Sequence, residues 1–210
     1  MIDLYTWSTP NGRKISILLE ELNVKYKVFP INIMKGEQFK ESFLKISPNN
    51  KIPAILDNEH NISMMESGAI MLYLAEKYKK FLPTKFDHRI KCIEWLNFQT
   101  ASQGPMLGQA HHFLKFNKGK SEYSEDRYHK EAERIYNVMN AQLKKSKYLA
   151  GDEYTIADIA AWPWVARFEW HQIDIKKYEY IADWYTNISN REAVQKGYDV
   201  PSIGASIPKI

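Results

Sequence analysis

Strand-forming patterns in this chain all fall between Met1 and Met65, and beyond Thr84 long amphipathic helical patterns replace them. One layer arrangement cannot bury both halves. The first needs a sheet with helices packed on it, and the second must pack helix on helix. A chain of 210 residues has room for two such cores. The boundaries read as 1–82 for an α/β unit and 86–210 for an all-helical one.

Within the first unit, Ile2 and Leu4 alternate with other residues over Met1 to Tyr5, a short strand. After a turn at Pro10 to Gly12, the residues Ile15, Leu18, Leu19 and Leu22 recur at helical spacing from Lys14 onward, and Asn23 ends that helix. Tyr26 to Ile33 is β-rich, so strand, helix and strand imply a parallel pair joined by a crossover. Pro30 puts the second strand near an edge or a bulge. Ile52 to Leu56 and Ile62 to Met65 flank Asp57 to Asn61 at hairpin spacing. A helix then starts at about Ser67, with Ile70, Tyr73, Leu74 and Tyr78 on one face, and Pro83 closes the βαβ-ββα module.

The second unit carries helical patterns at roughly 87–115, 122–145, 156–171 and 178–190. Gly104 and Pro105 predict a kink or break in the first of these. Thr155-Ile156-Ala157-Asp158 predicts a capped helix start with an acid in the first turn. Trp162-Pro163-Trp164 reads as core mass, and the Gly/Pro/Ser-rich stretch from Gly197 to Ile210 as a surface wrap.

Composition narrows the function classes. Hydrophobic residues at 44% and charged residues at 26% describe a chain that can fill a core rather than stay disordered. The net charge of +4 is spread along the chain, which argues against nucleic acid as a partner. No apolar run approaches a membrane span, and Pro163 already interrupts the longest, Ile159 to Ala166. Arg13 and Lys14 break any candidate signal peptide. A single cysteine, Cys92, excludes an intramolecular disulfide and suits a reducing cytoplasm, so the sequons at Asn61 and Asn187 carry no weight.

Three stretches carry chemistry. Ser8-Thr9-Pro10-Asn11-Gly12 brings hydroxyls, an amide and helix N-terminal N–H groups to one spot, where donors and the helix dipole would stabilise a thiolate. Ile52-Pro53 sits at the start of a strand. A cis bond there would turn the Ile52 backbone outward to pair with a short peptide, and a plain turn proline is the equal alternative. Glu66-Ser67-Gly68 opens a helix. Its hydroxyl and free N–H groups suit a carboxylate while Glu66 suits an ammonium, together an α-amino acid head group; helix capping by Ser67 is the plainer reading.

The order of these stations resembles the glutathione transferase family, a thioredoxin-like α/β domain followed by an all-α domain. Thr9-Pro10-Asn11-Gly12, Gly36-Glu37-Gln38-Phe39, Ile46 to Ile55, Gly104 to Gln109 with His111 and His112, and Ile156 to Trp164 are similar to its bacterial nu class. That resemblance implies that Asn11 and Thr9 contact the glutathione sulfur as the catalytic pair. It likewise implies Gln38 at the glycyl end, Ile52 on the cysteinyl backbone, Glu66 and Ser67 on the γ-glutamyl group, and Arg127 reaching the same cleft.

It further implies a disulfide reductase that uses glutathione as cosubstrate, holds one or two molecules of it, needs no protein cysteine and forms a homodimer. Conjugation of glutathione to an electrophile, or glutathione binding without turnover, are the rival readings. Ser8 stands near the place of the catalytic serine of theta-like transferases, and Tyr5 near that of the tyrosine of other classes. Asn11 and Thr9 are preferred because Tyr5 belongs to the strand and Ser8 lies earlier in the loop. No metal is expected: His111 and His112 are adjacent on a helix, point about 100° apart and lack further ligands.

Overall fold

The computed structural model describes residues 1–210. In chain order its elements are β1 (Ile2–Thr6), α1 (Pro10–Leu22), β2 (Tyr26–Pro30), α2 (Glu41–Leu44), β3 (Ala54–Asp57), β4 (Ile62–Met65) and α3 (Ser67–Tyr78). Then follow α4 (Phe86–Phe98), α5 (Gly104–Ala110), α6 (Glu122–Leu143), α7 (Ile156–Val165), α8 (Glu179–Ser189) and α9 (Glu192–Tyr198). Two compact units result: Met1–Leu82 with Asn190–Ile207, and Pro83–Ser189 with Pro208–Ile210.

The first unit is built on a four-stranded sheet in the order β2-β1-β3-β4. β1 and β2 are parallel, and β3 runs antiparallel to both β1 and β4. Pro30 ends the edge strand β2, where a missing N–H leaves no gap in a ladder. β3 begins at Ala54 rather than Ile52, since Pro53 has no N–H to donate; the Ile52–Pro53 peptide is cis. Ile15, Leu18 and Leu19 of α1 are fully buried, each contributing about 1.5–3 kcal/mol of apolar transfer. Asn23 closes α1 in the left-handed conformation, its N–H bonded to the carbonyls of Leu19 and Glu20.

Residues 190–207 join this unit, whereas the helical patterning places all of 86–210 in the second one. The reason is a close approach of α9 to α1. A Cβ at Gly197 would lie 2.6 Å from Ile17 Cα, so only glycine fits there. Ser16 Oγ donates to the Gly197 carbonyl at 2.6 Å, and Arg13 Nε to the Tyr198 carbonyl at 2.8 Å.

The second unit is helical throughout. The first helical pattern is interrupted just before Gly104 and Pro105, where regular α-helix gives way to a wider turn and not to a loop. A π-helical segment, Gln99–Gln103, precedes them, and a second, His111–Phe116, follows α5. Both a proline and a wider turn interrupt the regular helical hydrogen-bond ladder.

The core helix α7 is buried along its whole length. Its start is the predicted capping box, with Thr155 Oγ1 accepting from Ala157 N–H and Asp158 accepting from Thr155 N–H at 3.1 Å. Asp158 also accepts from Leu149 N–H at 2.9 Å and Trp184 Nε1 at 3.0 Å, tying α7 to α8 and the loop before it. Burial nonetheless pushes its carboxyl up to about 6. Trp162 stacks on Tyr185 with 5.3 Å between ring centroids, a packing role as expected. No helix is long and apolar enough to cross a membrane.

Candidate functional site

Strand register brings the three chemical stretches to one end of the sheet. Tyr5 near the end of β1 is the partner of Ala54 at the start of β3, and Ala54 is the partner of Met65 at the end of β4. The chain therefore leaves β1 into Trp7–Thr9, enters β3 through Ile52–Pro53 and leaves β4 into Glu66–Ser67 along the same rim.

At the first station α1 starts at Pro10, earlier than the apolar spacing from Lys14 implied. Thr9 is its N-cap, with Oγ1 accepting from Gly12 N–H at 3.1 Å, and Asn11 falls in the first turn. Accepting that bond leaves the Thr9 hydroxyl proton available for donation. Gly12 is required here, because a Cβ would collide with the Trp7 carbonyl oxygen and stand 2.5 Å from Thr6 Oγ1. That contact lets the first turn of α1 sit directly on the end of β1.

The two rival residues make contacts of their own. Ser8 Oγ accepts from Arg13 Nη2 at 2.8 Å, and the Arg13 guanidinium lies 3.7 Å over the Tyr198 ring. Tyr5 stacks on Phe29 at 4.8 Å and tilts against Phe43. Partial burial, with help from Asp3, raises its phenol.

At the second station Ser47 Oγ donates to the Lys51 carbonyl at 2.8 Å and Asn50 N–H to the Ser47 carbonyl at 2.9 Å, which fixes the turn. Neither the N–H nor the carbonyl of Ile52 joins the sheet or the turn hydrogen bonds. Both are thus free for an extended partner strand. Gln38 lies on the short 3-10 turn Glu37–Phe39, and its Oε1 is buried without a protein partner.

The third station differs from the capping alternative. Glu66, not Ser67, holds the N-cap position of α3, at φ 68°, and it makes no side-chain cap. Ser67 is the first helical residue, and its N-terminal N–H groups stay open to an anion. A non-glycine residue in this region carries roughly 1–3 kcal/mol of strain, a feature that concentrates at binding sites. Asn49 Nδ2 donates to Glu66 Oε1 at 3.3 Å. Beneath them Lys14 Nζ donates to Ser67 Oγ at 3.1 Å. Sequence reasoning missed this lysine, because its burial follows only from how α1 packs.

In the helical unit Arg127 projects from the exposed face of α6, lining an open depression with Met106, Tyr123 and Tyr128. His111 and His112 diverge as expected. His111 is buried, stacked on His171 at 4.7 Å and on Trp164 at 5.4 Å, and burial pulls its imidazole down to about 3, while His112 is exposed. Cys92 is buried, and desolvation raises its thiol, which disfavours the reactive thiolate. Asp57, Glu59 and His60 offer three ligand atoms within 4.8 Å of one another. Lys77 already bonds both carboxylates there, at 2.5 and 2.6 Å.

Residues 1–76 match the model of the glutathione S-transferase N-terminal domain, and residues 104–192 that of its C-terminal domain. The disulfide-bond oxidoreductase YfcG of Escherichia coli is 44% identical over 198 residues, covering 92% of each chain. The disulfide-bond oxidoreductase YghU of the same organism is 39% identical, covering 93% of this chain and 73% of that one. A glutathione transferase homolog from Lodderomyces elongisporus, solved with two glutathione molecules per subunit, superposes with a TM-score of 0.90. It is 39% identical and covers 95% of this chain and 98% of that one. A glutathione transferase from Pseudomonas putida, solved with one glutathione disulfide per subunit, gives a TM-score of 0.91 at 35% identity, covering 96% of this chain and 92% of that one. A thioredoxin-like sheet with the three stations on one rim, a helical unit after it, and relatives matching over nearly the full length agree on one origin: this chain is an enzyme of the glutathione S-transferase family.

Proposed function

We propose that the protein is a glutathione-dependent disulfide oxidoreductase that works with the sulfur of its bound cosubstrate and without a protein cysteine. The observation that carries this reading is the register that lines Thr9, Ile52 and Ser67 along one sheet rim in the order of a tripeptide's reactive, backbone and head-group contacts. The names of the E. coli relatives and the glutathione disulfide bound in the Pseudomonas putida structure support it. So does the burial of the one cysteine.

In this reading the γ-glutamyl carboxylate takes the open N–H groups of α3 and the Ser67 hydroxyl, and its ammonium takes Glu66. The cysteinyl backbone pairs with Ile52, and Gln38 meets the glycyl end. The Thr9 hydroxyl and the Asn11 amide donate to the sulfur, aided by the α1 dipole, so the thiol ionises. The thiolate attacks one sulfur of a disulfide substrate. That S–S bond breaks, a glutathione–substrate mixed disulfide forms, and the departing thiolate takes the proton the first thiol released. A second glutathione thiolate attacks the glutathione sulfur of the mixed disulfide, yielding glutathione disulfide and the second substrate thiolate, which is protonated in turn. Two glutathiones are oxidised for each disulfide reduced. The reading includes a homodimer in a reducing cytoplasm.

The test is an assay of bis(2-hydroxyethyl) disulfide beside 1-chloro-2,4-dinitrobenzene, with glutathione, on the wild type and on Cys92→Ala. Reduction of the disulfide by both proteins is expected. Turnover of the chloroaromatic alone would replace this reading with conjugation, and loss of reduction in Cys92→Ala would overturn the cysteine-free step.

A further inference from the structure

The glutathione reading accounts for Ser67 and Glu66 but not for the charged side chain beneath them. Lys14 is 2% exposed, on the stretch of α1 between Gly12 and Leu19 that is buried on every side. Its Nζ donates to Ser67 Oγ at 3.1 Å across a separation of 53 positions. Burial pulls the ammonium down from 10.5 to about 7, with the Glu66 carboxylate acting in the opposite direction. A buried cation costs stability that an apolar side chain of similar volume would not, so its presence asks for a use.

Ser67 shows what that use is. A hydroxyl has one proton to donate and two lone pairs to accept with. Lys14 occupies an acceptor position of Oγ from inside the protein, which leaves the O–H to be donated away from Lys14, toward the open first turn of α3. An acceptor in that turn then meets the hydroxyl proton, the helix N–H groups and a positive charge one atom further in. Each favours a carboxylate over a neutral group.

We propose that Lys14 is a positioning residue for this subsite, fixing the Ser67 hydroxyl as a donor and making the site selective for γ-glutamyl ligands that carry a free α-carboxylate. The proposal rests on the glutathione reading above and adds to it the residue that sets its selectivity. Lys14 does not touch the ligand; it acts through Ser67.

The test compares glutathione with its descarboxy analogue, γ-aminobutyryl-cysteinyl-glycine, by titration calorimetry at pH 6, where Lys14 carries its proton, on the wild type, Lys14→Met and Lys14→Gln. The wild type is expected to prefer glutathione about 100-fold, and Lys14→Met only about 10-fold, by loss of one charge-assisted bond. The loss should fall on glutathione alone, with affinity for the analogue unchanged. In turnover it should raise KM and leave kcat at saturating glutathione within about 2-fold. Lys14→Gln, which keeps a donor without the charge, should recover part of the preference.

An unchanged preference in Lys14→Met, or equal losses for both ligands, overturns the proposal. If Lys14→Met does not fold, Lys14→Gln decides by the same ratio. A wild type that binds neither ligand is a separate result, and it removes the glutathione reading itself.

Discussion

Arg13 Nη2 donates to Ser8 Oγ at 2.8 Å while Nε of the same guanidinium donates to the Tyr198 carbonyl. One buried side chain thus braces the β1–α1 loop against α9. Ser8 serves this brace, so Ser8→Ala is expected to leave disulfide turnover within about 3-fold. Arg13→Met removes the brace and should cost about 2–4 kcal/mol, since it strips buried acceptors of a charged donor. Turnover assays and urea unfolding of the two variants check the pair. A large loss of turnover in Ser8→Ala with an intact fold would make Ser8 the sulfur's donor.

Thr9 and Asn11 should separate by their effect on the fold. Both variants to Ala are expected to lower turnover by about 100- to 1,000-fold, the range for removing one donor from a developing anion. Thr9→Ala also loses the α1 cap and about 1 kcal/mol of stability, which Thr9→Ser restores. Asn11→Ala should melt close to the wild type. Rate and melting temperature measured on the same samples distinguish the two effects.

Asp158 gathers hydrogen bonds from Leu149, Thr155 and Trp184 with no exposed surface. Asp158→Ala leaves those donors buried and unpaired, at a cost of about 3 kcal/mol or more. Urea unfolding at pH 7 would register this as a lower midpoint. An unchanged midpoint would mean that the α7 start is held by packing alone.

The parts of the fold readable from sequence are those decided within one turn or one hairpin. The spacing of Ile15, Leu18, Leu19 and Leu22 located α1, and Thr155 with Asp158 located the start of α7, because each signal lies inside the element it defines. The three stations were visible as residue types, yet their meeting on one rim depends on the β1–β3–β4 register.

Long-range approach was hidden. Gly197 reads as the beginning of a surface wrap, and only its contact with Ile17, on the other side of the sequence, shows why α9 belongs to the first unit. At α3 a serine next to a glutamate suggested a serine cap. The structure instead gives the cap position to Glu66 at positive φ, a backbone choice that no local preference favours. Lys14 is a buried cation only because α3 and α9 pack against α1, which no pattern inside α1 signals.

That burial has a sign that can be measured. In the unfolded chain Lys14 keeps its proton up to about its ordinary 10.5, and in the folded protein only up to about 7. Between those values the unfolded state binds more protons, so this residue's contribution to stability rises with pH from about 7 toward 10.5 and is least favourable below 7. Lys14→Met has no such group. It is expected to be more stable than the wild type by about 1–4 kcal/mol at pH 7, the range seen when buried charges are replaced by apolar side chains. The advantage should shrink as the pH approaches 10. Urea unfolding of both proteins at pH 7, 8.5 and 10 reads the gap directly. A gap that stays constant with pH would mean that Lys14 remains charged in the fold across this range, held by Ser67 and Glu66 more strongly than burial opposes it.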